Sequence, residues 1–312
     1  MDMQATGLRR RWPVFGLLAV LCGLAALAFS GPTNATPAAA GEADEECDTP
    51  AMPDEPPCNP TLPDSPWGTS HRSSYAQASS AYPGPEDTGA EARHASLPGV
   101  PVQLQFSDRY DDGGIAVWGS LVGDPDRRVV VKLDHGTGDI IDQYVPGDRE
   151  DDAPDPQPGS VSGAYNMLDR DGRFFVGRQR EIEVFADSEH GDRFSDIELL
   201  KRFALPEEAF CVAEDVVVGA TLTYDGHIAF VTEYGMVGTV PREPDDMTAD
   251  SVQVHAINDV ACDSGEADPS METVSNNIAA DENGGIYVVT SLAMHRIDWD
   301  ADEGTLDAAW SA

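Results

Sequence analysis

The sequence reads as an all-β protein, a β-propeller of about four blade-like units. Three features point that way. A glycine turn recurs at Asp112-Gly113, Asp171-Gly172, Asp225-Gly226 and Asn283-Gly284, with spacings of 59, 54 and 58 residues. Each turn opens a β-rich run, and DGGIAVWGSL from Asp112 matches NGGIYVVTSL from Asn283 at six of ten positions. Runs such as RFFV, HIAFV and IYVV are nearly continuous apolar stretches, the pattern of strands covered on both faces. Repetition of such units at a fixed period marks a propeller, one unit per blade. A β-sandwich also has short strands, but it has no reason to repeat its turns at a fixed interval.

The stretch Ser275 to Asp300 shows the unit most plainly. Ile278 to Ala280 reads as a strand, Asn283-Gly284-Gly285 as a tight turn, Ile286 to Thr290 as the returning strand, and Met294 to Trp299 as a third. Asn-Gly between two such runs predicts a turn with both central residues at positive φ. The acidic, Pro-rich Asp148 to Pro158 and Pro241 to Asp250 read as loops that lengthen the unit beyond the usual ~40–50 residues. One or two helical turns are expected within Phe194 to Leu205. The last unit reads as unfinished, stopping at the strand-like Ala308-Ala309-Trp310. A propeller closes on itself to hide its edge strands, so the domain is expected to be a version of a longer propeller truncated at its C-terminus.

The N-terminal third has a different character. Arg9-Arg10-Arg11, an apolar run from Val14 to Phe29 and a small-residue site at Ala28-Phe29-Ser30 form an export signal over residues 1–30. An uncleaved membrane tether is the alternative. Residues 31–99 hold 12 of the 23 prolines, with much Ala, Ser, Gly and Asp. Such a segment buries too little apolar surface to offset its ordering entropy, which predicts a disordered linker. The folded domain is then 100–312, long enough for one core. Secretion or a cell-envelope location is the compartment these features imply.

Composition narrows the partners. The formal net charge is −37, and Lys132 and Lys201 are the two lysines. Such a surface repels nucleic acid and anionic membranes, so neither is expected as a partner. The lysine scarcity fits a halophilic surface or an ordinary acidic secreted protein. Once Cys22 leaves with the signal, Cys47, Cys58, Cys211 and Cys262 remain. An even number in an exported chain favours disulfides. Cys211–Cys262 would staple the third unit to the fourth, and Cys47–Cys58 would close a short loop. The absence of C-x-x-C disfavours zinc and thioredoxin-like chemistry.

No G-x-S-x-G, H-E-x-x-H, phosphate-binding loop, dinucleotide fingerprint or full EF-hand loop occurs. Propeller geometry still ranks positions. The innermost strand of a blade starts at the channel mouth and the second strand returns to it, so Asp215 and Asn166, before inner strands, and Glu233, after a second strand, are expected at that end. Oxygen ligands converging on an acidic channel suit calcium. Units such as NNIAADENGGIYVVTSLAMHRIDWD resemble blades of the senescence-marker-protein/gluconolactonase and strictosidine-synthase-like propellers, to which NHL repeats are related. The resemblance implies a six-bladed relative in which an Asn at the start of an inner strand helps to hold channel calcium. Asn276 falls at that position.

Two functions follow. One is a secreted acidic propeller that binds a ligand or protein partner at its channel mouth, with or without calcium. The other is a calcium-dependent lactonase or esterase. The family's Glu-Gly-Pro stretch is absent and no His or Asp constellation recurs, which favours binding. A quinoprotein-like dehydrogenase would repeat a Trp at one blade position, and Trp67, Trp118, Trp299 and Trp310 do not.

Overall fold

The computed structural model describes residues 59–62, 97, 99–123, 127–145, 166–258, 262, 271–274 and 277–312. The expected export signal, nearly all of the linker, Cys47, Cys58 and Asn276 lie outside them.

Among the described residues sixteen strands form four sheets, each an antiparallel meander of four strands in sequence order. The first sheet holds β1 (Gly99–Phe106), β2 (Ala116–Gly123), β3 (Arg127–Asp134) and β4 (Ile140–Tyr144). The second holds β5 (Met167–Leu168), β6 (Phe174–Arg178), β7 (Glu181–Asp187) and β8 (Ile197–Ala204). The third holds β9 (Val217–Leu222), β10 (His227–Thr232), β11 (Met236–Pro241) and β12 (Gln253–Ala256). The fourth holds β13 (Ala279–Ala280), β14 (Gly285–Val289), β15 (Met294–Asp300) and β16 (Thr305–Ser311). First strands neighbour first strands: β1 lies against β5, β5 against β9 and β9 against β13. Successive sheets therefore stand side by side as blades, with their first strands innermost.

All four glycine turns fall between the first and second strand of their sheets. A recurring side chain shapes them. Ser107 Oγ accepts the amide of Ala116 at 3.0 Å, Asp169 Oδ1 that of Arg173 at 2.8 Å, Thr223 Oγ1 that of His227 at 2.9 Å, and Asp281 Oδ1 that of Gly285 at 2.8 Å. A short oxygen-bearing side chain just after the inner strand thus holds the start of the returning strand. The turn itself differs from the expected form. Gly172, Gly226 and Gly284 have φ of 78°, 90° and 80°, and Asn283 is not among the positive-φ residues. One left-handed glycine suffices because these are longer loops closed by a glycine bulge, whereas two-residue primed turns need two. In the first unit the loop is enlarged, and Asp112-Gly113 forms its own tight turn, where the Gly113 amide donates to the Tyr110 carbonyl at 2.8 Å.

Two other expectations are corrected. Ile197–Ala204 is a strand, paired along β7. Val184 faces Lys201 while Phe185 faces Leu199, so Leu200 is an extra, bulged residue. That bulge breaks the period of two and hides the strand in the sequence. The fourth sheet also has a fourth strand, because Thr305–Ser311 pairs along β15.

The core lies between the sheets. Trp118, Val130 and Tyr144 of the first sheet meet Leu168, Phe174 and Phe185 of the second. Phe175, Ile182 and Val184 of the second meet Leu222, Ile228 and Phe230 of the third. Ala229, Val231 and Val237 of the third meet Ile286, Ile297 and Trp299 of the fourth. Alternate residues along one strand thus pack on opposite neighbours, which is why the runs are apolar throughout.

Polar latches join the sheets at the turn end. Arg193 of the second sheet reaches Asp112 (2.7 Å) and Asp134 of the first. Arg242 of the third reaches Asp169 (3.2 Å) and Asp171 (3.1 Å) of the second, and Arg173 pairs with Glu243. Trp299 of the fourth donates to Asp225 of the third. Each latch links a first-hairpin turn to the outer part of the next sheet, so the four turns share one end. Lys132, fully buried in β3, pairs with Asp187 and donates to the Ser195 carbonyl at 2.6 Å. Tyr110 donates to the same carboxylate at 2.7 Å.

Candidate functional site

The opposite end, where the inner strands begin, is where sequence places the site. Asp215 lies two residues before β9, Asn166 immediately precedes β5, and β5 lies against β9. Glu233 follows β10 at that same end. The structure thus places Asp215, Glu233 and Asn166 at the same end of two adjacent blades, while Asn276 is outside the described residues.

Asp215 is fully buried, and its carboxylate is saturated. Oδ2 accepts the Cys211 amide at 2.9 Å and the Thr232 hydroxyl at 2.8 Å. Oδ1 accepts the amides of Val216 at 2.9 Å and Tyr234 at 3.1 Å. Burial pushes its pKa up, and these four donors pull it back. Asp215 therefore clasps the loop before β9 to the turn between β10 and β11. The Cys211–Cys262 disulfide, with Cα atoms 4.4 Å apart, ties the same loop to the segment after β12.

Arg180 completes the clasp from the second sheet. Its guanidinium donates to the carbonyls of Asp215 (3.0 Å) and Val212 (2.8 Å), pairs with the exposed Glu207 (3.1 Å), and stacks 4.0 Å above the Phe210 ring. Backbone bonds continue the stitching. The Val217 amide donates to the Gln179 carbonyl at 2.7 Å, and the Val274 amide to that of Glu233 at 2.8 Å. In each case the carbonyl after one blade's second strand receives an amide from the chain entering the next blade. Gln179 makes this contact at a φ of 45°. Asn258 binds the carbonyls of Tyr234 and Glu272, each at 2.9 Å.

Asn166 is buried on the neighbouring inner strand. Its amide donates to Gln103 Oε1 at 2.7 Å, and its carbonyl accepts Gln105 Nε2 at 3.1 Å. The Asn166 Nδ2 and Gln105 Oε1 atoms find no hydrogen-bond partner among the described residues. Among those residues no group of three or more His, Cys, Asp or Glu side chains could hold a metal ion. Arg180 and Thr232, which build this end with Asp215, were not legible in sequence. An arginine after a strand and a threonine at a strand end carry no local signal of a long-range partner. Among the described residues no helix is long and apolar enough to cross a membrane.

No family model matches this chain. The chain is 39% identical over 260 residues to an uncharacterized protein of Archaeoglobus fulgidus, an alignment covering 83% of this chain and 45% of that protein. The chain thus spans less than half the length of that relative. Among solved structures, BamB from Moraxella catarrhalis superposes with a TM-score of 0.39 at 9% identity, covering 81% of this chain and 74% of that one. A protein of unknown function from Desulfotomaculum acetoxidans gives 0.38 at 12% identity, over 67% and 56% of the two chains. A Lactobacillus plantarum protein gives 0.37 at 12% identity, over 72% and 73%.

Proposed function

We propose that this chain is an exported binding module that engages a ligand or protein partner at the end where its innermost strands begin. The observation that carries this reading is the Asp215 clasp. The best-buried carboxylate at that end holds four donors drawn from the Cys211–Val216 loop and the Thr232–Tyr234 turn. A carboxylate spent in this way has no lone-pair direction left over for general-base work or for a cation. What it supplies is a rigid rim, and rigid loops held by a scaffold are what recognition uses. Glu207, Glu208 and Glu214 stand exposed on the loops so held. With a chain charge of −37 they suit a basic or neutral partner, not nucleic acid or an anionic membrane.

Export is supported by the basic and apolar N-terminus together with the Cys211–Cys262 bridge, since structural disulfides persist in oxidising compartments. Calcium is no part of this proposal, because the described donors do not fit it: Asp215 is occupied, and Asn166 is buried among amide groups. The test is calcium titration by calorimetry, run beside a panel of chromogenic lactones and esters. The binding reading expects no turnover with or without calcium. Calcium-dependent turnover lost in Glu233→Gln would establish the hydrolase instead.

A further inference from the structure

Within the Pro-rich segment that precedes the sheets, Asn59-Pro60-Thr61-Leu62 is folded onto the turn end of the domain. The four residues make a turn of their own. The Leu62 amide donates to the Asn59 carbonyl at 3.2 Å, and the Thr61 amide donates to Asn59 Oδ1 at 2.9 Å. Asn suits the first position of such a turn and Pro the second, so the segment carries its shape locally. Asn59, Thr61 and Leu62 are buried, and each makes its own contact with the domain. Asn59 Nδ2 donates to the Leu222 carbonyl at 3.0 Å, and Thr61 Oγ1 donates to the Thr223 carbonyl at 3.0 Å. The Thr61 carbonyl accepts the Arg170 amide at 3.1 Å. Leu62 joins the core cluster that holds Phe175, Leu222 and Ile228. Leu222 ends β9 and Arg170 stands in the turn after β5, so the segment sits where two adjacent inner strands finish.

We propose that this junction of the second and third sheets is a peptide-docking site that reads Asn-x-Thr-Leu, and that its occupant is the chain's own Asn59–Leu62 turn. The segment behaves as a ligand and not as a part of the sheets. All four sheets pair without it, and its side-chain bonds to the third sheet span sequence separations of 163 and 162. β9 is an edge strand of its sheet, and such edges offer main-chain groups to short peptides. Specificity comes from the three side chains: the Asn59 amide and the Thr61 hydroxyl each reach one carbonyl, and Leu62 fills the apolar cluster. Asn59 Oδ1 pre-forms the turn, which keeps the ordering cost of docking low. Covalent attachment gives this occupant a high local concentration, so a free peptide of the same sequence competes poorly with it in the wild type. The site lies at the end opposite to the Asp215 clasp and is independent of binding there.

Two measurements on the full chain test this, comparing the wild type with the double variant Asn59→Ala, Leu62→Ser, which vacates the site. The first is fluorescence anisotropy of a labelled synthetic peptide running from Asn59 to Asp64. The proposal expects the variant to bind it with a Kd between about 10 μM and 1 mM, at least about tenfold tighter than the wild type does. A peptide carrying Thr61→Val should bind the variant more weakly. The second is amide hydrogen exchange at Arg170, whose partner is the Thr61 carbonyl. It should be at least about tenfold faster in the variant and slow again once the peptide is added. Should the double variant lose its near-UV circular dichroism, Thr61→Val alone, which keeps the shape of the side chain, replaces it. A folded variant that does not bind the peptide, a wild type that binds it equally well, or an Arg170 amide indifferent to both the substitutions and the peptide overturns the proposal.

Discussion

The Trp299 indole donates to Asp225 Oδ2 at 2.8 Å, joining the end of β15 to the turn of the preceding sheet. The same carboxylate oxygen lies 2.9 Å from His227 Nδ1, and Oδ1 accepts the Thr223 hydroxyl. Burial would push the Asp225 pKa up, but these hydrogen bonds outweigh it and hold the group at about 2. A depressed carboxylate contributes stability above its unfolded value of about 3.9 and loses it as pH falls through the folded value. The expected outcome is a loss of stability between about pH 4 and pH 2 that is smaller in Asp225→Asn, measured by denaturant unfolding across that range. Trp299→Phe, which keeps the ring and removes the donor, should cost about 1–2 kcal/mol at neutral pH.

The Cys211–Cys262 bridge closes a loop with a sequence separation of 51. Chain-entropy reasoning puts its contribution at roughly 4 kcal/mol, acting through the unfolded state. Urea unfolding of the Cys211→Ser, Cys262→Ser double variant should show an unfolding free energy lower by that amount, with a correspondingly lower midpoint. Peptide mapping without reductant should recover the two cysteines in one cross-linked species.

Asp281 repeats the chemistry of Ser107, Asp169 and Thr223, and adds to it. Its Oδ1 accepts the amides of Gly285 (2.8 Å) and Asn283 (2.9 Å), and its Oδ2 accepts the Tyr287 hydroxyl (2.7 Å). Asp281→Ala leaves three donors without their acceptor and should cost about 2–3 kcal/mol. Asp281→Asn, which keeps one acceptor oxygen, should recover part of that loss. Amide hydrogen exchange at Gly285 reports the lock directly, with protection falling in Asp281→Ala.

Much of the architecture is legible in sequence because it repeats. The Asp-Gly and Asn-Gly pairs mark the first hairpin of every sheet, and apolar runs such as Phe174 to Val176 announce strands with neighbours on both faces. Elements that fail to repeat were harder. The Leu200 bulge disguised β8, and β16 carries one buried residue, Leu306, in seven, so alternation gives little warning of it. The candidate site was legible as a place but not as a chemistry. Position before an inner strand brings Asp215 and Asn166, and position after a second strand brings Glu233, to one end. Nothing local to Asp215 tells that Thr232 and Tyr234, seventeen and nineteen residues on, will fill its lone pairs. A carboxylate read from sequence looks free until the donors around it are known.

The role of Asp215 as a clasp of the fold, rather than a ligand, is tested most directly by thermal unfolding of the wild type and Asp215→Ala, each with and without calcium. Removing the carboxylate leaves four donors unpaired, two of them buried and two partly buried, a loss of about 3 kcal/mol or more. That corresponds to a midpoint lower by roughly 6–12 °C for a domain of this size. The account predicts that drop with or without calcium, and a wild-type midpoint that calcium does not move. A variant that unfolds with the wild type in the absence of calcium, but lacks a calcium-dependent rise that the wild type shows, would contradict it.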